Sequence, residues 1–419
     1  MINTFNRYKI YFQSASYYLG SSLIVAALGM VLSPVNAMYM SHEDYAIIGY
    51  YSSFGLLLVP LLHLCLFSYY ARQYYQIAEQ DRDKLGDTIL LTSMLLGGVF
   101  CILFLIAFYT YHQRANVSFG FWPYALLAFV QIYVGNISTF YLTKLRILRE
   151  AKKYAILTVL SFLITAGLSL WLVIGYDLGA FGKLLGALLA SCLIGVYCLK
   201  KSITECKIDW IVAKTGLNFT WPLVASAILW FFLSGIDRIF LEPLNDTINF
   251  GLYSIGNSIS GYLMVIYTVL ASTFQPDIYK AIAERNEKKV LTFVMLIIGV
   301  IAITNMLFVL VAPYVIGRLT AGRYVDASAY ARIFSIQNIV IAIYYIIDTL
   351  LVGYGFTKQI LYVKIISAAV AVAIYKILIT YWQFYGAAWG HVLVFGFLSI
   401  LNLGVLTYNK QKIAIEMKR

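Results

Sequence analysis

The stretch "FFLSGIDRIFLEPLNDTINFGLYSIGNSIS", Phe231 to Ser260, decides the fold, because its second part repeats a pattern from the first half of the chain. "GLYSIG" at Gly251 to Gly256 matches "GYYSSF" at Gly49 to Phe54, with Gly, Tyr and Ser in the same places and an offset of 202 residues. A second match follows in the same order, "QIAEQDRDKL" at Gln76 to Leu85 and "AIAERNEKKV" at Ala281 to Val290, at an offset of 205. Both offsets lie close to half of the 419 residues, so the chain reads as one design used twice.

The repeated unit belongs in a bilayer. The chain is 61% hydrophobic and 12% charged, with a mean hydropathy of +0.80, which is more apolar surface than a soluble domain can hide. Apolar runs of about 20 residues, the length a helix needs to cross the hydrocarbon core, recur throughout and leave no stretch for a soluble domain. Twelve spans are expected, starting near Ser16, Ala46, Asp87, Trp122, Tyr154 and Phe181, then Leu217, Phe250, Val290, Ala327, Gln359 and Phe384. Six spans return the chain to its starting side, so the halves are parallel repeats about an axis along the membrane normal, a design that places substrate between the halves. The fold class expected is an all-α integral membrane protein of about 12 transmembrane helices in two six-helix lobes, residues 1–200 and 216–419, joined by a cytoplasmic linker at 201–215. The first span lacks a small-residue cleavage signature and is followed at once by another, so it reads as a retained helix and not a signal peptide.

A net charge of +12 raises nucleic acid as a partner, and the placement of the cations argues against it. They gather in alternate loops: Arg7 and Lys9; Arg72, Arg82 and Lys84; Lys144 to Lys153; Lys200 to Lys214; Lys280 to Lys289; Lys358; and Lys410 to Arg419. The opposite loops hold only Arg114, Lys183, Arg318, Arg323 and Arg332. By the positive-inside rule the rich side is cytoplasmic, which puts both termini there and requires an even number of spans. Attraction to anionic membrane lipid is a secondary consequence. The five cysteines have neither metal-ligand spacing nor a secreted-type framework and read as reduced, small hydrophobes.

Charges inside spans are expensive, so those that persist there are candidates for function. Arg238, Lys364 and Lys376 are such cations, with Arg72, Arg146 and Arg332 near span ends. Asp237 and Arg238 point about 100° apart on a helix and need not pair with each other. Two readings of them stand side by side. Either they face a head group and a coupling cation, or they fix a helix end at the external interface and snorkel to water. Asp348 and Lys364 lie five residues either side of the turn "GYGFTKQ" at 353–359, where a salt bridge would join two helices at similar depth. Lys376 reads as snorkelling. His63 and His391 either titrate near neutrality or make helix–helix hydrogen bonds. Asn305, Gln337 and Asn338 are polar glue or cavity lining. The 35 tyrosines are chiefly interfacial anchors, with some available to stack on sugar rings.

"SGIDRIFLEPLNDTINFGLYSIGNSIS" resembles the start of the second half in bacterial polysaccharide repeat-unit flippases, the O-antigen and capsule transporters of the multidrug, oligosaccharidyl-lipid and polysaccharide exporter superfamily. In that family a small residue, Asp and Arg close the seventh span and Gly-x-Tyr-Ser opens the eighth. The matching positions here are Gly235, Asp237, Arg238, Gly251, Tyr253 and Ser254. "SHEDYAIIGYYSSFG" in the first half resembles the family more weakly. The resemblance implies translocation of an undecaprenyl-diphosphate-linked oligosaccharide across the bacterial inner membrane, for lipopolysaccharide or capsule, by alternating access. H+ or Na+ would be the coupling ion, with no other cofactor, no metal centre and no catalytic residue. An anionic head group makes Arg238, Lys364, Arg72, Arg146 and Arg332 its candidate contacts, and Asp237, Asp348 and His63 the ion-coupling candidates. The implied partners are the lipid-linked substrate, membrane lipids, and a polysaccharide polymerase with its chain-length machinery.

Two alternatives remain. A drug or toxin exporter of the same superfamily would prefer acidic residues in its cavity, whereas intramembrane carboxylates are scarce here. A membrane polymerase or acyltransferase acting on the same glycolipid would need a large external loop or a histidine with a motif around it. The external loops are short, His63 and His391 have no such motif, and no Gly-rich phosphate loop occurs. At an offset of 201, Asn36 stands where Asp237 does, so the charge pair belongs to the second half alone.

Overall fold

A computed structural model describes residues 2–115 and 119–416, with side chains at 16–114, 119–356 and 358–409. Arg7, Lys9, Lys410, Lys412, Lys418 and Arg419 of the basic clusters lie outside the described side chains. Among the described residues the regular structure is helical, and eleven segments are long and apolar enough to cross a membrane. The last of these, Lys358–Asn409, has 52 residues and is interrupted at Gln383, whose φ of 48° no helix accommodates. At 1.5 Å per residue it runs about 78 Å, more than twice the roughly 30 Å hydrocarbon core. Twelve crossings therefore run through eleven segments, and the break sits one residue before Phe384, the expected start of the twelfth span.

Packing divides the chain into two compact units, Met1–Leu32 with Tyr39–Ile228 and Ser33–Met38 with Leu229–Arg419. The first holds most of α1 (Ile2–Tyr39), then α2 (His42–Ser53), α3 (Gly55–His63), α4 (Leu66–Gln73), α5 (Arg82–Ala115), α6 (Tyr124–Ile147), α7 (Ala151–Tyr176) and α8 (Gly179–Ser202). It ends within α9 (Trp210–Ser234), six residues past Pro222. The acidic turn "SHED" is built for helix capping. Ser41 Oγ accepts from Asp44 N at 3.1 Å, and Asp44 Oδ2 accepts from Ser41 N at 2.7 Å. The other Asp44 oxygen accepts from Ala180 N at 2.6 Å, anchoring the start of α8. α3 and α4 are parted by Leu64 and Cys65, both left-handed at φ 48° and 52°, so the second crossing is a broken helix.

The second unit holds α10 (Asp237–Leu241), α11 (Thr247–Gly261), α12 (Met264–Ala283), α13 (Glu287–Leu319), α14 (Ala327–Gly353) and α15 (Thr357–Glu416). α14 is its centre, packed on α11, α13 and α15. Asn338 Nδ2 donates to Ser260 O at 2.9 Å and to Asn305 Oδ1 at 3.2 Å, so both asparagines act as glue between buried helices. Asp246 caps α11 by accepting from Asn249 N at 3.0 Å. In each unit a carboxylate, Asp44 or Asp246, thus caps the helix bearing Gly-x-Tyr-Ser and lies five residues before its glycine.

Gly256 lets α11 approach α14 closely. A Cβ there would sit 2.9 Å from both Ala327 O and Ala331 N, closer than real side chains come. Gly256→Val is expected to destabilise the protein by about 1–3 kcal/mol through overpacking, read as a lowered thermal midpoint in detergent. An unchanged midpoint would mean that α11 and α14 separate freely.

Candidate functional site

The second unit buries a polar cluster built from the stretch that opens its fold. α9 ends at Ser234, and the amides of Gly235 and Ile236 both donate to Phe231 O, at 2.7 and 3.0 Å. That turn delivers Asp237 and Arg238 into α10 with their side chains 0% and 4% exposed. Oδ2 of Asp237 accepts from Arg238 Nη1 and from Tyr253 Oη, the latter at 2.7 Å. His391 Nε2, on α15, lies 3.3 Å from the same oxygen. The guanidinium stacks over the Tyr253 ring, 4.3 Å from its centroid, with Phe250 beyond at 5.8 Å. Tyr375 packs edge-on to His391 at 5.2 Å between centroids, and its hydroxyl donates to Leu233 O at 2.9 Å.

One carboxylate and one guanidinium cancel in charge, and a protonated His391 adds one positive unit to the cluster. Burying such a pair is offset only by good geometry and further hydrogen bonds. Here the hydroxyl of Tyr253 supplies a hydrogen bond and His391 Nε2 lies within ion-pair distance. Asp237 Oδ1, Arg238 Nε and His391 Nδ1 make no hydrogen bond to another described group, so the cluster keeps unused capacity for a proton or a cation.

Two readings are corrected by this geometry. Asp237 and Arg238 do pair with each other, because the long arginine stem folds back across the 100° between them and lays the guanidinium on Tyr253. Neither snorkels, since both are enclosed by α10, α11 and α15. The salt bridge expected between Asp348 and Lys364 is also absent among the described ion pairs. Lys364 stays within electrostatic range of the carboxylate without closing to contact. Asp348 shares a helix face with Tyr344 and Tyr345, whose rings pack on Trp230 and, for Tyr345, on Tyr267.

The remaining candidates are dispersed. Arg72 is exposed with its guanidinium 4.7 Å from the Phe219 ring centroid, and Arg146 is exposed 5.6 Å from that of Tyr154, both within the first unit. Arg332, on α14, is exposed and donates from Nε to Val309 O of α13 at 3.1 Å. Lys364 is half-buried on α15. His63 ends α3, and its Nδ1 accepts from Cys65 N at 2.9 Å, which supports the helix break. Gly251 and Ser254 are buried on α11 beside Tyr253. Arg238 alone of the five cations enters the buried cluster.

Sequence reasoning placed His391 only as a lone histidine and missed Tyr375, since nothing local ties either to Asp237. Glu242, 3% exposed and four residues past Arg238, carried a readable signal as a carboxylate in an apolar run. Asp87 in the first unit was not singled out either. It is 1% exposed and holds the amides of Thr204 and Glu205.

The helical arrangement is that of the multi-pass transporters and flippases of the MOP superfamily. The chain resembles the lipid II flippase MurJ in an inward closed conformation with a TM-score of 0.72 at 13% identity, over 92% of this chain and 86% of that chain. It resembles a multidrug resistance MATE family transporter in an inward-facing conformation at 0.58 and 16%, over 97% and 96%. A MOP superfamily transporter from Pyrococcus furiosus, described as having a binding pocket of reverse polarity, gives 0.57 and 16%, over 96% and 95%. At these identities the likeness is one of fold. Residues 11–278 match the family of polysaccharide biosynthesis proteins, and the chain belongs to that family. No curated protein matches it.

Proposed function

We propose that this protein is a flippase that moves an undecaprenyl-diphosphate-linked oligosaccharide repeat unit from the inner to the outer leaflet of the bacterial inner membrane, by alternating access coupled to H+ or Na+. One observation carries the reading: a chain of the polysaccharide biosynthesis family has eleven membrane-length apolar segments among its described residues, with the fold of transporters. A family member whose described residues run through repeated membrane spans contributes to glycan assembly most directly by moving a lipid-linked intermediate across the bilayer. The product then meets a polymerase and its chain-length machinery on the far side. The Asp237–Arg238–His391 cluster is the coupling site in this reading, because protonating His391 or admitting a cation beside Asp237 Oδ1 changes a buried charge balance.

Deleting the gene is expected to abolish surface polysaccharide and leave lipid-linked repeat units facing the cytoplasm. A plasmid copy restores export, and an Asp237→Asn copy restores protein in the membrane while transport in vesicles loses its response to imposed pH and sodium gradients. Normal surface polysaccharide in the deletion strain would remove the flippase reading. An unchanged gradient response in Asp237→Asn would remove only the coupling role.

A further inference from the structure

A lipid-facing groove in the first unit has no part in the proposed transport site. α6, α7 and α8 enclose about 250 Å³ between Tyr141, Leu157, Ser161, Ile164, Leu193 and Tyr197, with Lys153 at one end. Its walls are apolar, and Tyr141 and Tyr197 close one side edge to face at 6.3 Å. The rim residues Ile156, Leu160 and Leu193 are exposed, so the groove opens outward. Along α7 the lining runs from Lys153 to Ile164, eleven residues or about 16 Å. That is roughly half of a 30 Å hydrocarbon core, the depth of one leaflet.

The end at Lys153 is strongly basic. α6 finishes, α7 begins and α8 finishes there, which gathers Lys144, Arg146, Arg149, Lys152, Lys200 and Lys201. Lys144 Nζ donates to Ser202 O at 3.3 Å, so the ends of α6 and α8 are joined at this point. Two carboxylates reduce the charge: Lys153 Nζ lies 2.8 Å from Glu150 and Lys144 Nζ lies 3.6 Å from Asp83. The excess stays positive.

In a bilayer an apolar groove gains nothing from hydrophobic burial, because lipid tails solvate it equally well. Selectivity must come from the shape of the groove and from the charge at its end, and a basic recess between membrane helices favours an anionic head group. We propose that this groove is a binding site for an anionic phospholipid. One acyl chain lies along Leu157, Ser161 and Ile164, and the phosphate sits among the cations at the turn between α6 and α7. A single-leaflet depth suits a phospholipid acyl chain, whereas a polyprenyl chain outruns it.

The test is native mass spectrometry of the full-length protein in mild detergent with equal amounts of dioleoyl phosphatidylglycerol and dioleoyl phosphatidylcholine. Phosphatidylglycerol is expected to be retained about tenfold more tightly, and Lys152→Gln with Lys153→Gln to bring the two lipids close to parity. Ser161→Trp fills the groove and is expected to release phosphatidylglycerol, with a thermal melt confirming that the variant is folded. If it does not fold, Leu193→Trp on the exposed rim serves as a reporter. Its fluorescence is expected to be quenched by brominated-chain phosphatidylglycerol at concentrations where brominated phosphatidylcholine is silent. Equal retention or equal quenching by the two lipids overturns the proposal. So does phosphatidylglycerol retention that survives in a folded Ser161→Trp, or retention of undecaprenyl phosphate with none of phosphatidylglycerol.

Discussion

Arg238→Ala is expected to destabilise the second unit by about 3–5 kcal/mol, the cost of stranding one member of a buried ion pair. The Asp237 carboxylate is fully buried, and without the guanidinium it retains only the Tyr253 hydroxyl and the His391 ring. The variant also loses the cation stacked on Tyr253, and with it the packing between α10 and α11. Replacing both charges with apolar groups of similar volume, Asp237→Leu with Arg238→Met, is expected to cost less than Arg238→Ala alone, because no uncompensated charge remains. Thermal melts of Asp237→Leu, Arg238→Met and the double variant give the coupling, expected at about 0.5–3 kcal/mol for groups in one network. Single effects that simply add would mean that the pair does not act as a unit. Melts report stability; surface polysaccharide reports transport. A folded double variant that exports polysaccharide would confine the pair to a structural role.

The crossings were legible because hydrophobicity over about 20 residues leaves few alternatives to a membrane helix. The break at Gln383 falls beside Phe384, where a twelfth span is expected to start. The capping role of Asp44 was available in the same way, as an acidic residue three places after Ser41. What sequence could not supply was azimuth and long-range pairing. Asp348 and Lys364 are near enough to interact electrostatically but do not close to a contact, and Asp237 meets His391 across more than 150 residues. Arg72, Arg146 and Arg332 were placed near span ends, yet two of them spend their charge on aromatic faces and one on a carbonyl. Choosing among 68 aromatic residues or hundreds of carbonyls takes coordinates.

The segment between α8 and α9 reads as a polar linker by composition, and its hydrogen bonds give it an attachment. Asp87 on α5 accepts from Thr204 N at 3.1 Å with each oxygen and from Glu205 N at 2.5 Å. Thr88 Oγ1 accepts from Asp209 N at 3.2 Å, and Lys84 Nζ lies 2.9 Å from Asp209 Oδ2. Residues 204–209 are thereby stitched to the start of α5. Asp87→Ala is expected to cost about 1.5–3 kcal/mol, the worth of a charge-assisted bond, and not the sum of three, since Thr204 and Glu205 are exposed and their freed amides turn to water. The loss is local, so hydrogen–deuterium exchange at 203–209 is expected to quicken more than the global melt falls. Lys84→Ala is expected to do much less, because that bridge is solvated. The Lys84 hydrogen bond holds the Asp209 carboxyl below its usual range. A depressed carboxyl contributes stability above its ordinary value of about 3.9 and loses it as pH falls through the lower folded value. Protection of the linker should therefore be level across neutral pH and fail only in strong acid. Exchange in Asp87→Ala equal to that of the parent protein would mean that the linker is held by something other than Asp87 of α5.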